Sequence, residues 1–445
     1  MTSLRNRPLR EDLVIQASLE AYALIRHEGR LSDRALETVL RPKKHLYSSE
    51  RRATAERVYA LLRRQRLVDY LAEKAFKDFK ARGSSQQDLL RLALSRVLDG
   101  ETARAAGKAM TLSSGEIDGL ERAIQHKSDL KRLPPLERLA IEASVPDFFA
   151  AKLQREYGDE AHAAAEAMNE RAPLCIRVNE LKITRAELMT RLETEEVKAK
   201  LTPLSPIGLF LETRHNAYAL PSFKEGLFEI QDEGSQLLGM LVDAPPRKVV
   251  DACAGAGGKT LQLAAQMKNR GELFALDIDA RRLEDLKLRA RRDGVHNVRI
   301  QALPKDDDAA LEEVLKKLQG VERVLVDAPC SGSGTYRRKP DARYKLDEAM
   351  LADHVSRQKT LLARFAPLVK RGGRVVYGTC SVLREENEDV VADFLSKHAD
   401  FRIAPAGTWL GEALAASCTR DGMLRLTPHR HGTDGFFGVV LERTA

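Results

Sequence analysis

From Leu13 to Ala140, apolar residues return every three or four positions, as in LVIQASLEAYALI, AERVYALLRRQRLVDYLAEKAF and DLLRLALSRVL. That is the helical period. Gly83-Ser84-Ser85 and Pro134-Pro135 break it where loops are needed. The pattern predicts an all-α first domain over 1–140. Beyond Pro146 the helical spacing continues through FFAAKLQREYG and HAAAEAMNER, then changes at Pro173. LCIRVNELK, GLFLETR and GLFEIQ read as strands and ITRAELMTRLE as a helix, which predicts a small α+β module over 146–240.

From Lys248 the pattern alternates. VVDACAG, ELFALDID, VRIQAL, RVLVDAP and RVVYGTC are short apolar or β-branched runs. Helical segments separate them: KTLQLAAQM, ARRLEDLKLRARRDG, AALEEVLKKL and LADHVSRQKTLLARFAPLVKRGG. Repeated β-α units predict a doubly wound parallel sheet, so 241–445 is expected to be a Rossmann-like α/β domain. GFFGVVLER near the chain end adds an expected antiparallel strand.

Composition narrows the partners. A net charge of +8 suits a polyanion, and Arg51, Arg52, Arg57, Arg63, Arg64 and Arg66 crowd one stretch of the helical half. On a helix they cannot share one face, so part of the run is a solvated surface. No run of about 18 uncharged apolar residues occurs, and MTSLRNRPLRED precedes no apolar stretch, so a cytoplasmic location without membrane association is expected. Five cysteines, an odd number without a CxxC pair, argue against a disulfide framework and a metal site.

Ligands of open parallel sheets lie beyond the carboxyl ends of the strands. The first such loop runs Asp251-Ala252-Cys253-Ala254-Gly255-Ala256-Gly257-Gly258-Lys259-Thr260, with glycines for a tight turn before a helix. Its spacing matches neither a Walker loop nor GxGxxG. The next strand ends in Asp277-Ile278-Asp279, where an acid can accept ribose hydroxyls; Asp279 is equally suited to cap the following helix. Together they favour an adenosine-containing ligand. One aspartate of Pro304-Lys305-Asp306-Asp307-Asp308 is a candidate for the adenine edge.

The fourth strand delivers Asp327-Ala328-Pro329-Cys330 and the fifth Tyr377-Gly378-Thr379-Cys380, so two thiols stand over the ligand end of neighbouring strands. A thiolate adding at carbon 6 of a cytosine makes carbon 5 nucleophilic toward a methyl sulfonium. Such a cysteine must be partly exposed, and the base must leave its stack. Between the thiols, Arg337, Arg338 and Arg343, with flanking tyrosines, are expected to meet RNA phosphates and bases.

DACAGAGGKT, ALDID, DAPCSGSGTYRRKPD, YGTCSVLREENE and DGFFGVVLER resemble the motif series of the Nol–Nop–Sun RNA cytosine-5 methyltransferases, in their bacterial Sun (Fmu) branch, across essentially the whole chain. The resemblance implies S-adenosylmethionine held by Cys253, Ala254, Gly255, Ala256, Gly257, Gly258 and Lys259, with Asp277 at the ribose, Asp306 near the adenine and Asp327 facing the methyl centre. It implies Cys380 as nucleophile and Cys330 as the residue that assists release; DNA enzymes use the PC cysteine instead. It also implies a NusB-like RNA-binding domain over 1–140, an RNA-recognition-like module over 146–240, and small-subunit ribosomal RNA as partner; RNA-binding modules in cis suit a monomer. The family's loop usually carries proline where this chain has Ala256. Transfer RNA as substrate, or a non-catalytic ribosome-assembly role, are the alternatives.

Overall fold

The computed structural model describes residues 8–212, 216–305 and 307–444. The chain divides into two compact units, Met1–Glu170 with Tyr336–Leu346, and Arg171–Thr335 with Asp347–Ala445.

The first unit is helical, as the periodicity predicts. Its longest helices are Glu11–Glu28, Ser48–Arg63 and Ser84–Leu98, and Pro135 opens the helix Pro135–Glu142 at its first turn, where a missing N–H costs nothing. Tyr22, Leu61, Leu71, Leu90 and Leu94 fill the core. Each such burial contributes roughly 1.5–3 kcal/mol. The helices Asp147–Tyr157 and Ala161–Ala167 fall in this unit, as does the excursion 336–346. The arginine run is largely consumed inside it. Arg51 donates to the carbonyls of Leu40, Lys43 and Leu46, Arg57 pairs with Glu11, Arg64 with Asp99 and Arg66 with Asp147.

The second unit holds two sheets. β1 (Leu174–Val178), β2 (Ala199–Leu201), β3 (Gly208–Leu211) and β4 (Phe228–Ile230) pair antiparallel in the order β2-β3-β1-β4. Helix Arg185–Thr194 packs Leu188 and Leu192 onto Ile176, Val178 and Leu209. A reciprocal cap starts that helix, with Thr184 Oγ1 accepting from Glu187 N and the Glu187 carboxylate accepting from Thr184 N. β2 and the helix Glu233–Val242 were not foreseen in the sequence pattern.

The nine-stranded sheet contains β5 (Lys248–Asp251), β6 (Glu272–Asp277), β7 (Val298–Ala302), β8 (Val321–Asp327), β9 (Val369–Thr379), β10 (Phe401–Ala404), β11 (Thr419–Arg420), β12 (Met423–Leu426) and β13 (Phe436–Arg443). Its order is β11-β12-β13-β9-β8-β5-β6-β7, with β10 on β13; β5 to β9 run parallel and β13 antiparallel to β9. Neighbouring strand residues face opposite cores: Val250, Val324, Val326 and Val375 one, Val249, Leu325 and Val376 the other. Burial on both faces is why these strands read as continuous apolar runs. The helix expected through Gly373 stops earlier. It spans Glu348–Phe365, Ala366–Leu368 forms a 3-10 turn around Pro367, and Val369 already begins β9. Among the described residues no helix is long and apolar enough to cross a membrane.

Candidate active site

The glycine loop follows β5. Gly255 (φ +52°) and Gly257 (φ +91°) occupy the left-handed region, and a Cβ on Gly257 would meet Leu286 at 2.2 Å. A Cβ on Gly258 would meet nothing within 4 Å, so the loop leaves room beside the start of helix Gly258–Gln266. Asp277, at the tip of β6, accepts from Gly255 N and Asp279 N, both at 2.8 Å. Asp279 caps the next helix by accepting from Arg281 N and Arg282 N. Arg289 donates to the Ala256 carbonyl at 2.5 Å and to Glu229 of β4 at 2.7 Å, a brace the sequence did not reveal. Asp306 lies outside the described residues; Asp307 caps the helix Asp308–Lys317.

Asp251 is buried at the end of β5. Thr260 Oγ1 donates to its Oδ2 at 2.7 Å, while Oδ1 is buried without a partner among the described residues. Burial pushes its carboxyl up to about 7. Burial, then the charges of Asp251, Asp327 and Asp277, push the Cys253 thiol well above the usual range. An open backbone cradle, an acid at the second strand tip and an orphaned carboxylate oxygen fit a cationic, ribose-bearing ligand.

The chemical end is assembled by β8 and β9, whose Asp327 and Gly378 are register partners. Lys259 Nζ donates to Asp327 Oδ2 at 2.7 Å. Burial works against the lysine's charge, but Asp327 outweighs it, with a lesser contribution from Cys380, and the ammonium is held above the usual lysine range. Cys330 Sγ and Cys380 Sγ stand 3.4 Å apart, both partly accessible. The contact with Cys380, then burial, pushes the Cys330 thiol well above the usual range.

Buried side chains fix this spacing. Glu386 accepts from Ser331 N and from Gln358 Nε2, while Asn387 accepts from Thr379 Oγ1 at 2.5 Å and donates to Ser381 O at 3.0 Å. Ser333 and Ser381 hydroxyls meet at 2.9 Å, and Gly334 N donates to Cys380 O. The acidic run after the fifth strand was the only sequence signal for Glu386.

The structure separates the arginines between the thiols: Arg337 and Arg343 are buried, and Arg338 is not. Arg343, expected at RNA, is fully buried in the helical unit, donating to the carbonyls of Ala143 and Met168 at 3.0 Å and to Asn169. Arg337 is 3% exposed. Neither guanidinium is free to meet a phosphate in this conformation, because phosphate contacts are made at the surface. Arg338 is half-buried. Asp341 accepts from Ser32 N and Oγ, so this segment is scaffold for the helical unit.

The family described as 16S rRNA methyltransferase RsmB/F matches residues 240–442, and the ferredoxin-like domain of RsmF/B-like methyltransferases matches 145–217. A probable ribosomal RNA small subunit methyltransferase B from Synechocystis is 31% identical, covering 97% of this chain and 100% of that one. The chain belongs to the 16S rRNA methyltransferase RsmB/F family. The probable Bacillus subtilis counterpart is 30% identical over 96% of this chain and 98% of its own. The crystal structure of a methyltransferase homolog protein from Pyrococcus horikoshii is 29% identical, with a TM-score of 0.59 over 70% of this chain and all of that one. The methyl donor of an RsmB/F methyltransferase domain is S-adenosylmethionine, and the ferredoxin-like match takes in β1, β2 and β3 of the four-stranded sheet.

Proposed function

We propose that this protein methylates carbon 5 of a cytosine in small-subunit ribosomal RNA, with Cys380 as the attacking thiolate. The observation that carries this reading is the pair of thiols 3.4 Å apart at the ends of adjacent parallel strands, beside the Lys259–Asp327 pair. Cys330 is held as the thiol, and the two sulfurs share a hydrogen bond in which either can donate. The Cys380 sulfur bonds to carbon 6, and the ring's 5,6 π electrons make carbon 5 nucleophilic. S-adenosylmethionine, when bound, supplies the electrophilic methyl that carbon 5 takes up. The carbon-5 proton then leaves to a base, the sulfur–carbon 6 bond breaks toward sulfur, and the double bond returns. Cys330 assists that release.

Cys253 to Lys259, Asp277 and Asp327 would hold the cofactor, with Asp306 as a further candidate. Lys259 fixes the Asp327 carboxylate at the methyl centre. The helical region over 1–140, as a NusB-like domain, and the module over 146–240 would engage RNA for the catalytic domain over 241–445, in a cytoplasmic monomer. The test is incubation with methyl-labelled S-adenosylmethionine and unmodified RNA, followed by bisulfite sequencing. A single new 5-methylcytosine in small-subunit RNA supports the proposal. Label in transfer RNA changes the substrate, and no transfer to naked or precursor RNA refutes it.

A further inference from the structure

The other ends of β8 and β9 carry a second polar feature. Arg323 and Arg374 are register partners there, two like charges side by side on neighbouring strands. Such pairs oppose strand pairing. Arg374 reaches Asp243 at 2.8 Å and stacks over the Trp409 ring, 4.4 Å from its centroid. Among the described residues Arg323 reaches no carboxylate at ion-pair distance. Its Nη1 donates to the Glu322 carbonyl, and its Nε is buried without a partner among the described residues. The Glu322 carboxylate is engaged by Lys370 and Arg247 instead. Burial, then the charge of Arg374, lowers the Arg323 guanidinium to about 10.

Both arginines line a cavity of about 570 Å³, with Arg402 and Trp409 on its wall. Arg402 is exposed and paired with Glu442, the acid of this lining. Six residues of extended strand separate Arg374 from Cys380, about 20 Å. The cavity is therefore distinct from the cysteine site. A half-buried cation beside another cation is costly unless an anion reaches it, and arginine forks match phosphate oxygens.

We propose that this cavity binds a backbone phosphate of the RNA substrate, clamped by Arg323 and Arg374 with Arg402 at the mouth, and that Trp409 offers an apolar wall to the adjoining nucleoside. The assignment of RNA rests on the function proposed above. An RNA phosphodiester is favoured over a free nucleotide because the exposed Arg371, next to the lining residue Gly372, offers a further guanidinium beside the cavity.

The experiment titrates the full-length protein with unmodified small-subunit ribosomal RNA across salt concentrations, as wild type, Arg323→Met and the surface variant Arg402→Glu. Each variant is expected to weaken binding about tenfold, the worth of one charge-assisted contact. The slope of log affinity against log salt should fall by about one. Turnover at saturating RNA and the KM for S-adenosylmethionine should stay unchanged. Arg323→Met should also melt no lower than wild type in phosphate-free buffer, because it removes a partly buried guanidinium whose Nε has no partner among the described residues. Unchanged affinity and slope in both variants overturn the proposal; should Arg323→Met fail to fold, Arg402→Glu alone decides. Adenosine diphosphate binding that Arg323→Met abolishes, with RNA affinity intact, overturns it in favour of a free nucleotide. If wild type methylates ribosomal RNA and the variants bind normally, this inference alone falls. If no RNA is methylated yet the variants lose RNA affinity, the methylation reading falls and the phosphate site stands.

Discussion

Glu386 accepts two hydrogen bonds from Ser331, 2.8 Å from its backbone N–H and 2.5 Å from its hydroxyl. The carboxylate is fully buried and clamps the residue beside Cys330, while Asn387 holds Thr379 and Ser381 on either side of Cys380. Consecutive residues of one short segment thus position both thiol-bearing loops. Glu386→Ala leaves the Ser331 and Gln358 donors without their acceptor, at a cost of about 1–3 kcal/mol. We expect a lower melting temperature and slower release of methylated RNA, with Glu386→Gln intermediate. Thermal melting and single-turnover kinetics check this; wild-type release in Glu386→Ala would show that the clamp does not matter.

The thiols divide the labour. Cys380→Ala should abolish turnover while leaving affinity for S-adenosylmethionine nearly intact. Cys330→Ala should accumulate a covalent protein–RNA adduct, seen as a retarded band on a denaturing gel. Activity in the first variant, or no adduct in the second, would reverse the assignment.

Gly257 has no room for a side chain. In Gly257→Ala the new methyl meets Leu286 and the left-handed backbone is strained. Strain of this kind costs on the order of 1–3 kcal/mol. Calorimetry should show cofactor affinity reduced at least tenfold, with RNA affinity unchanged.

Asp251 ties stability to pH. Its carboxyl titrates near 7 when folded, against 3.8 as the ordinary value. The unfolded chain therefore ionises this group first as pH rises, so its contribution to stability is complete below about pH 4 and is lost between there and about 7. Asp251→Asn lacks this titration. The melting temperature of wild type relative to that variant should fall across this window and level off above it.

Arg343 answers for the helical unit. Arg343→Ala removes the donor to the carbonyls of Ala143 and Met168 and to Asn169, and we expect destabilisation of about 2–4 kcal/mol with unfolding of the helical unit. Denaturant titration checks it. A stable variant with weakened RNA affinity would return Arg343 to the RNA.

The sequence makes the α/β core legible because parallel strands buried on both faces become apolar runs, and because the glycines and cysteines mark strand ends. It hides β10, β11 and β12, which are only two to four residues long and carry arginines. The start of β9 is masked by Lys370-Arg371-Gly372-Gly373, which read as a helix end. RRKPDAR reads as surface because it is charged, yet carbonyl acceptors make the burial of Arg343 possible. Glu386 and Asn387 are lost in an acidic run whose meaning depends on the loops it reaches across to hold.

The most direct test uses small-subunit RNA carrying 5-fluorocytosine, which has no carbon-5 proton to lose and arrests the reaction before the sulfur departs. Digestion and mass spectrometry of the trapped complex should find the nucleotide on the peptide containing Cys380. Attachment at Cys330, or no covalent complex with bound S-adenosylmethionine, would contradict the account.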